Sequence, residues 1–199
     1  MSSSPNPVDN GAVVEKTSAV RYVIDPRLSR FTVKAFASGV LSAFGHNPNI
    51  AIREFNGEVE WKGPGAASLR FVAKASSLAD TDDISDKDRR EIERQMHEEV
   101  LESQRYPEIV YECSRVSAQT TGEGQYGVTL NGVLTLHGVT NAQVVAARVS
   151  VSGDTLRAFG DFSLRQTEFG IRLVSALGGA LKVKDDLKFD FNIVARKQG

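Results

Sequence analysis

The stretch that decides the fold is Tyr126–Thr140, which reads YGVTLNGVLTLHGVT. Its large apolar side chains share one parity and are Val128, Leu130, Leu134 and Leu136. The other parity is polar except at Val133, and such alternation predicts a long, half-buried β-strand. Gly132 lies at its middle, where a glycine usually marks a sharp bend or the close approach of another backbone. A second β-rich run follows at 143–151, so we expect a bent strand that leads into a hairpin.

Similar alternation recurs on both sides of this stretch. Further strands are predicted at Val20–Ile24, 29–37, 69–73, 108–116, 155–164 and 187–195. The apolar parity changes between Ile52 and Phe55, which predicts a β-bulge at Arg53-Glu54. Many short alternating strands joined by turns favour an all-β fold, a closed antiparallel barrel of about eight strands, over a parallel α/β sheet.

One amphipathic helix is predicted to begin near Ser85. Ser85 and Asp88 have the spacing of a capping box, with Asp in place of the usual Glu or Gln. Ile92, Met96 and Val100 then recur every four residues among charged side chains, which suits a helix that lies across a barrel wall or mouth. We expect the charged face at 89–94 and His97 to be solvated, and the helix to end before Tyr106-Pro107.

The composition limits the class of protein. The chain has 199 residues and a formal net charge of −1, so no overall field draws it to nucleic acid or an anionic membrane. One cysteine, Cys113, excludes an intramolecular disulfide, and three scattered histidines predict no metal site. Residues 1–18 are expected to form a disordered tail before one barrel domain at 19–199. The start of the chain lacks the features of a secretory signal, and no segment is apolar enough to cross a membrane. We therefore expect a cytoplasmic protein, or a periplasmic one if a leader precedes this sequence.

Small side chains recur on the predicted inner faces, at Ala35, Ala73, Ala158 and Gly160. They would leave room in a barrel that is either filled by its own side chains or holds one small ligand. A cavity for an elongated apolar molecule is one interpretation, and a filled core is the other.

Four motifs resemble the YceI-like family, small proteins whose lipocalin-like or streptavidin-like barrel binds a polyisoprenoid chain. Tyr22-Val23-Ile24-Asp25-Pro26, with Ser29-Arg30-Phe31, is similar to the family's first strand pair, and 102–109 is similar to its helix exit. The segment 134–140 resembles its most recognisable stretch, and 162–171 its late motif. The resemblance spans about Val20 to Arg196. It implies binding, transport or storage of an isoprenoid lipid or quinone, and it implies no reaction and no catalytic residue.

Eleven residues are candidates for contact with such a ligand. The apolar candidates are Phe31, Val33, Phe71, Tyr111, Leu136, Phe162, Phe189 and Phe191, and each of them could equally pack in a dry core. His46 lies in a Gly/Asn/Pro loop and could line an entrance or serve only the turn. His137 could hydrogen-bond nearby backbone or meet a ligand's polar head. Arg165 could form a surface ion pair or place a cation near a quinone or phosphate.

Three functions remain open on the sequence. The first is a module that binds a hydrophobic small molecule by desolvation, with no other cofactor. The second is an enzyme that acts on a hydrophobic substrate, which would need His46 and His137 to converge at one pocket mouth. The third is a structural or stress-linked protein with a filled barrel. A homodimer is left open in each case.

Overall fold

The computed structural model describes residues 19–38, 47–176 and 181–198. The predicted tail at 1–18, the loop at 39–46 and residues 177–180 lie outside the described residues. The strands in the described part are β1 Val20–Ile24, β2 Arg30–Lys34, β3 Ala37–Ser38, β4 Asn49–Ile52, β5 Phe55–Trp61, β6 Ala67–Lys74, β7 Leu78–Asp80, β8 Glu108–Gly122, β9 Gln125–Leu136, β10 Val139–Ser152, β11 Thr155–Arg165, β12 Ser175–Ala176, β13 Leu181–Val183 and β14 Asp186–Lys197.

Eight of these strands close into an antiparallel barrel in the order β1-β5-β6-β8-β9-β10-β11-β14. The ring closes at β1, where Val23 lies opposite both Glu58 of β5 and Arg196 of β14. The sheet also continues from β14 through β2 and β4 to β7, and β3, β12 and β13 form a small second sheet. The predicted strand at 29–37 is therefore divided between two sheets. This closed ring of eight antiparallel strands confirms the predicted barrel class. In such a ring, alternate residues of every strand face the enclosed side.

The stretch that decided the fold forms β9 and the start of β10. The expectation that β9 runs through to Thr140 is wrong, because His137 and Gly138 take φ values of 52° and 74° and make a two-residue hairpin turn. The close approach predicted at Gly132 is confirmed. A Cβ there would lie 2.5 Å from the Glu112 carbonyl oxygen and 2.6 Å from the Tyr111 ring. The β8–β9 register also shifts between Glu112 and Arg115.

The β-bulge predicted at Arg53-Glu54 is wrong, because the chain turns a corner there. β4 pairs with β2 and β7, whereas β5 pairs with β1 and β6, so the two strands have different neighbours. The Arg53 amide donates to the Ser77 carbonyl at 3.2 Å, and the Glu54 amide donates to the Ser77 hydroxyl at 3.0 Å. These bonds satisfy the backbone at the corner. The apolar parity changes because β4 and β5 pack against different neighbours.

The helix begins as predicted. α1 spans Asp86–Gln95, and the Ser85 hydroxyl accepts from the Asp88 amide at 3.1 Å. A π-helical turn at Met96–Val100 continues it. The charged face is not wholly solvated, because Arg89 donates to the carbonyl oxygens of Asp80 and Asp82 at 2.8 and 2.9 Å. Arg89 therefore fastens α1 to the end of β7.

His97 is half-buried, so the expectation that it is exposed is wrong. Its Nε2 lies 3.0 Å from the Leu78 carbonyl oxygen, and its Nδ1 lies 2.9 Å from the Ser103 hydroxyl. Because a carbonyl oxygen can only accept, Nε2 carries a hydrogen in this arrangement. His97 thereby joins the end of the helical segment to β7. In the part of the chain that the structure describes, no helix has the length and apolar character needed to span a bilayer.

Candidate ligand-binding cavity

The barrel encloses a cavity of about 440 Å³. Its walls come from inward-facing side chains of the ring strands, for example Val59 of β5, Leu130 of β9 and Val149 of β10. At one end the helical segment contributes Ile92 and Met96. A volume of this size falls within the range of small-molecule sites in proteins.

The lining is almost wholly apolar. In the described part of the chain, its polar members are Ser68, Gln95 and Gln166, together with the amphipathic rings of Trp61 and Tyr111. Gln95 and Gln166 lie at the helix end of the barrel, where β11 ends and α1 packs against β7. At the opposite end the ring of Trp61 lies 5.3 Å from that of Tyr126. Ser68 also lies at this end, since it pairs with Glu60 next to Trp61, so the helix end presents two amides and the opposite end one hydroxyl.

Phe31 is the centre of a phenyl cluster inside the barrel. Its ring centroid lies within 6.3 Å of four others, those of Phe71, Phe162, Phe189 and Phe191. The rings thus meet across the interior, yet they do not fill it. Phe162, Phe189 and Phe191 face inward and line the cavity while remaining only half-buried. The exposed parts of these three rings face the cavity, where a ligand could cover them.

All eight apolar site candidates lie on the cavity wall, namely Phe31, Val33, Phe71, Tyr111, Leu136, Phe162, Phe189 and Phe191. Contact between these residues and a ligand remains a prediction. Cys113 is buried, as expected for a small side chain on β8.

The Tyr111 ring lines the cavity, and its hydroxyl is hydrogen-bonded to the backbone. Its hydroxyl reaches past Gly132 and lies 3.2 Å from the Leu130 carbonyl oxygen and 3.1 Å from that of Gln143. Burial raises the pKa of the Tyr111 phenol well above its ordinary value. The ring therefore presents carbon surface to the cavity while the hydroxyl is held by strand carbonyls.

His137 does not line the cavity. Its Nδ1 lies 3.3 Å from the Phe169 carbonyl oxygen, and its Nε2 lies 3.2 Å from a Glu102 carboxylate oxygen. Its ring centroid is 4.5 Å from that of Tyr106. These contacts tie the β9–β10 turn to the segment after the helix and to the turn after β11, which fits the structural interpretation of this residue.

Arg165 lies outside the barrel, and its side chain is 60% exposed. Its Nε donates to Asp185 at 3.0 Å, which fits the surface ion pair and places no cation at the cavity. His46 falls outside the described residues. Arg165 and His137, the polar candidates within the described residues, are therefore not brought together at the cavity.

Gln166 was not selected from the sequence, although a signal for it existed. It lies two residues beyond the inward-facing Leu164, so simple continuation of the strand parity points it inward. The four-residue spacing of Ile92 and Met96 indicated that this face of the helix packs against the barrel, and both residues line the cavity. In the described ranges no cluster of three or more His, Cys, Asp or Glu side chains could hold a metal ion.

Fold and cavity together define an antiparallel barrel that encloses an apolar chamber. The chain belongs to the YceI-like family, because the model of the YceI-like domain matches residues 22–195. This match confirms the resemblance found in the four motifs. No curated protein sequence matches the chain.

Solved structures share the fold at low identity. The crystal structure of Burkholderia cenocepacia BcnA is 18% identical with a TM-score of 0.64, covering 86% of this chain and 98% of that one. A polyisoprenoid-binding domain from Saccharophagus degradans, implicated in plant cell wall breakdown, is 12% identical with a TM-score of 0.64 and covers 89% and 98%. The Campylobacter jejuni YCEI protein is 14% identical with a TM-score of 0.53 and covers 75% and 85%.

Proposed function

We propose that this protein binds one linear isoprenoid lipid, an alcohol or a quinone, inside the barrel and stores or carries it without converting it. The observation that carries this proposal is the apolar cavity of about 440 Å³. Family membership supports it, as does the likeness in fold to a domain described as polyisoprenoid-binding. A filled barrel, the structural alternative, is not favoured by an open space of this size.

The cavity volume sets the length of chain that can be enclosed. A water molecule, or a carbon with its hydrogens, occupies roughly 30 Å³ in a liquid, so 440 Å³ holds about 15 carbons. That corresponds to about three isoprene units. A longer ligand would have to enlarge the cavity or leave part of its chain in solvent.

Burial of such a chain sets an upper limit on the affinity. At about 0.8 kcal/mol per buried methylene group, 15 carbons gain about 12 kcal/mol. Association itself costs at least about 4 kcal/mol. At most about 8 kcal/mol remains, so a micromolar dissociation constant is the tightest expected for a chain of this length.

The arrangement of His137 favours binding over catalysis. A general acid or base must reach the reacting group, and both ring nitrogens of His137 already face oxygen atoms of Phe169 and Glu102 outside the cavity lining. The enzyme alternative also required His46, which lies outside the described residues. We therefore propose that the protein catalyses no reaction on its ligand.

A cavity-filling variant tests this function. Ala158→Phe places a phenyl ring on the cavity wall, whereas Arg157→Phe places the same ring outside the barrel on the same strand. Displacing even two ligand carbons costs about 1.6 kcal/mol, so we expect Ala158→Phe to weaken farnesol binding roughly tenfold or more and Arg157→Phe to leave it unchanged. Fluorescence titration would measure both. Equal effects of the two variants, or no saturable binding of farnesol to the wild type, would contradict the proposal.

A further inference from the structure

Gln166 is a buried polar residue on the cavity wall. It follows the last residue of β11, retains 4% of its surface exposed, and lines the cavity. Its backbone amide donates to the Asp185 carbonyl oxygen at 3.0 Å, and its own carbonyl accepts from Ile171 at 3.2 Å. The residue is therefore held in place by backbone bonds that do not depend on its side chain.

The surroundings fix which way the Gln166 amide points. Its Nε2 donates to the Lys184 carbonyl oxygen at 2.9 Å. Because a backbone carbonyl can only accept, the nitrogen must face Lys184 and the oxygen Oε1 must occupy the other position. No described residue donates a hydrogen bond to Oε1, yet this oxygen is not sealed by protein atoms. An acceptor that is open to the cavity and has no protein partner can be satisfied by water, and a donor on a ligand would replace that water.

The turn that carries Gln166 is clamped from outside the barrel. The Asp185 carboxylate accepts from the Thr167 amide at 2.8 Å, from the Thr167 hydroxyl at 2.6 Å and from Arg165 at 3.0 Å. These bonds lie on the two residues that flank Gln166 in sequence. They hold the chain on both sides of Gln166, with the Arg165 side chain 60% exposed and the Asp185 side chain 17% exposed.

Gln95 presents a second amide at the same end. Its Nε2 donates to a Glu91 carboxylate oxygen at 2.9 Å, which again directs the nitrogen to a group that can only accept. The far end of the cavity is lined by the rings and aliphatic groups around Trp61 and Val116, and Ser68 is the one polar side chain of the described lining at that end. A ligand with one polar end and one apolar end thus has one favourable orientation.

We propose that Gln166 selects ligands whose polar end is a hydroxyl, which donates to Oε1 at the helix end while the chain extends toward Trp61. This inference rests on the proposed function and narrows it to isoprenoid alcohols or the reduced, hydroxyl-bearing form of a quinone. A hydroxyl can also accept the second hydrogen of Nε2, whereas an ether or a carbonyl can only accept. The alcohol therefore satisfies both atoms of the amide.

The test compares farnesol with farnesyl methyl ether, which keeps the chain and the oxygen but lacks the donor. We expect the wild type to bind the alcohol roughly 2- to 12-fold more tightly than the ether, the range for one hydrogen bond. In Gln166→Leu this ratio should fall to about one. Gln119→Leu is the control, because it removes an exposed amide that does not line the cavity, and it should retain the wild-type preference.

The possible outcomes distinguish selection by Gln166 from lipid binding itself. If the wild type binds both compounds equally, or if Gln166→Leu keeps the preference, selection by Gln166 is refuted while lipid binding stands. If neither compound binds the wild type, the proposed function fails and the inference fails with it. If Gln166→Leu does not fold, the wild-type ratio and the 13C signal of the Gln166 side-chain carbonyl carbon, which reports on hydrogen bonds to Oε1, decide. A signal that shifts with farnesol but not with the ether supports the inference, and equal shifts refute it.

Discussion

Gly132→Ala should be severely destabilising because the Glu112 carbonyl and the Tyr111 ring pack directly against that glycine. An added Cβ would lie 2.5 Å from the Glu112 carbonyl oxygen and 2.6 Å from Cζ and the hydroxyl oxygen of Tyr111. Ordinary contacts to carbon begin near 3.5 Å, so β8 and the Tyr111 ring would each have to move by about 1 Å.

The magnitude follows from two costs. Overpacking a well-ordered site costs about 1 to 3 kcal/mol. Moving the Tyr111 hydroxyl away from the Leu130 and Gln143 carbonyls costs about 1 to 3 kcal/mol more, because the hydroxyl stays buried. We therefore expect the free energy of unfolding to fall by about 2 to 6 kcal/mol, and the midpoint of thermal unfolding to fall by about 4 to 24 °C.

Gly127→Ala on the same strand is the matched control. Its Cβ would meet only the Thr121 methyl carbon, at 3.9 Å. Loss of a strand glycine without a clash should be neutral or raise stability by about 0.5 to 1 kcal/mol. Urea unfolding of both variants measures the difference. If Gly132→Ala is no more destabilising than Gly127→Ala, the packing of Tyr111 over Gly132 is refuted.

Two further predictions concern the helix and the turn after β11. Arg89→Met removes the bonds to the carbonyls of Asp80 and Asp82, so amide hydrogen exchange across 86–100 should become at least roughly tenfold faster. Arg94→Met, which loses ion pairs within the same helical segment, should change it less; equal effects would contradict the role of Arg89. The hydroxyl and amide of Thr167, with Arg165, hold the pKa of Asp185 below its ordinary value. Asp185 therefore adds stability above its unfolded pKa near 3.9, and this contribution is lost as the pH falls through the lower folded pKa. Asp185→Asn should flatten the loss of stability between about pH 5 and pH 2 in urea unfolding, and an unchanged slope would contradict the clamp.

The sequence predicted the parts of the barrel that follow simple alternation. Leu187 to Ala195 and Leu156 to Leu164 keep one parity throughout, and both segments form single uninterrupted strands. The capping residue Ser85 was recognisable because its chemistry is local. The four-residue spacing of Ile92 and Met96 likewise foretold a helix that packs on the barrel.

The parts that escaped prediction depend on contacts distant in sequence. A change of parity at Arg53 and Glu54 has the same sequence pattern for a bulge and for a corner, and only the pairing of β4 with β2 decides between them. The turn at His137-Gly138 requires a non-glycine residue at positive φ, which alternation does not reveal.

The polar side chains were the least predictable part of the candidate site. Arg165 and His137 were chosen for their chemistry, but Arg165 pairs with Asp185 outside the barrel, and His137 contacts Glu102 and Phe169. Strand parity pointed Gln166 inward, but it carries no charge and belongs to no catalytic motif, and its hydrogen bond to the Lys184 carbonyl is visible only in the structure. Polar roles are set by partners from other segments, whereas the apolar wall is set by strand parity.

The most direct test of an apolar chamber that admits a lipid chain uses methyl groups on the two faces of the same strands. Leu130 and Val149 line the cavity, whereas Val133 and Val144 face outward and are 41% and 55% exposed. Isotope-edited NOE spectra with bound farnesol should show contacts from its chain to the methyl groups of Leu130 and Val149. NOEs confined to Val133 and Val144 would place the lipid on the outer surface and contradict binding inside the barrel.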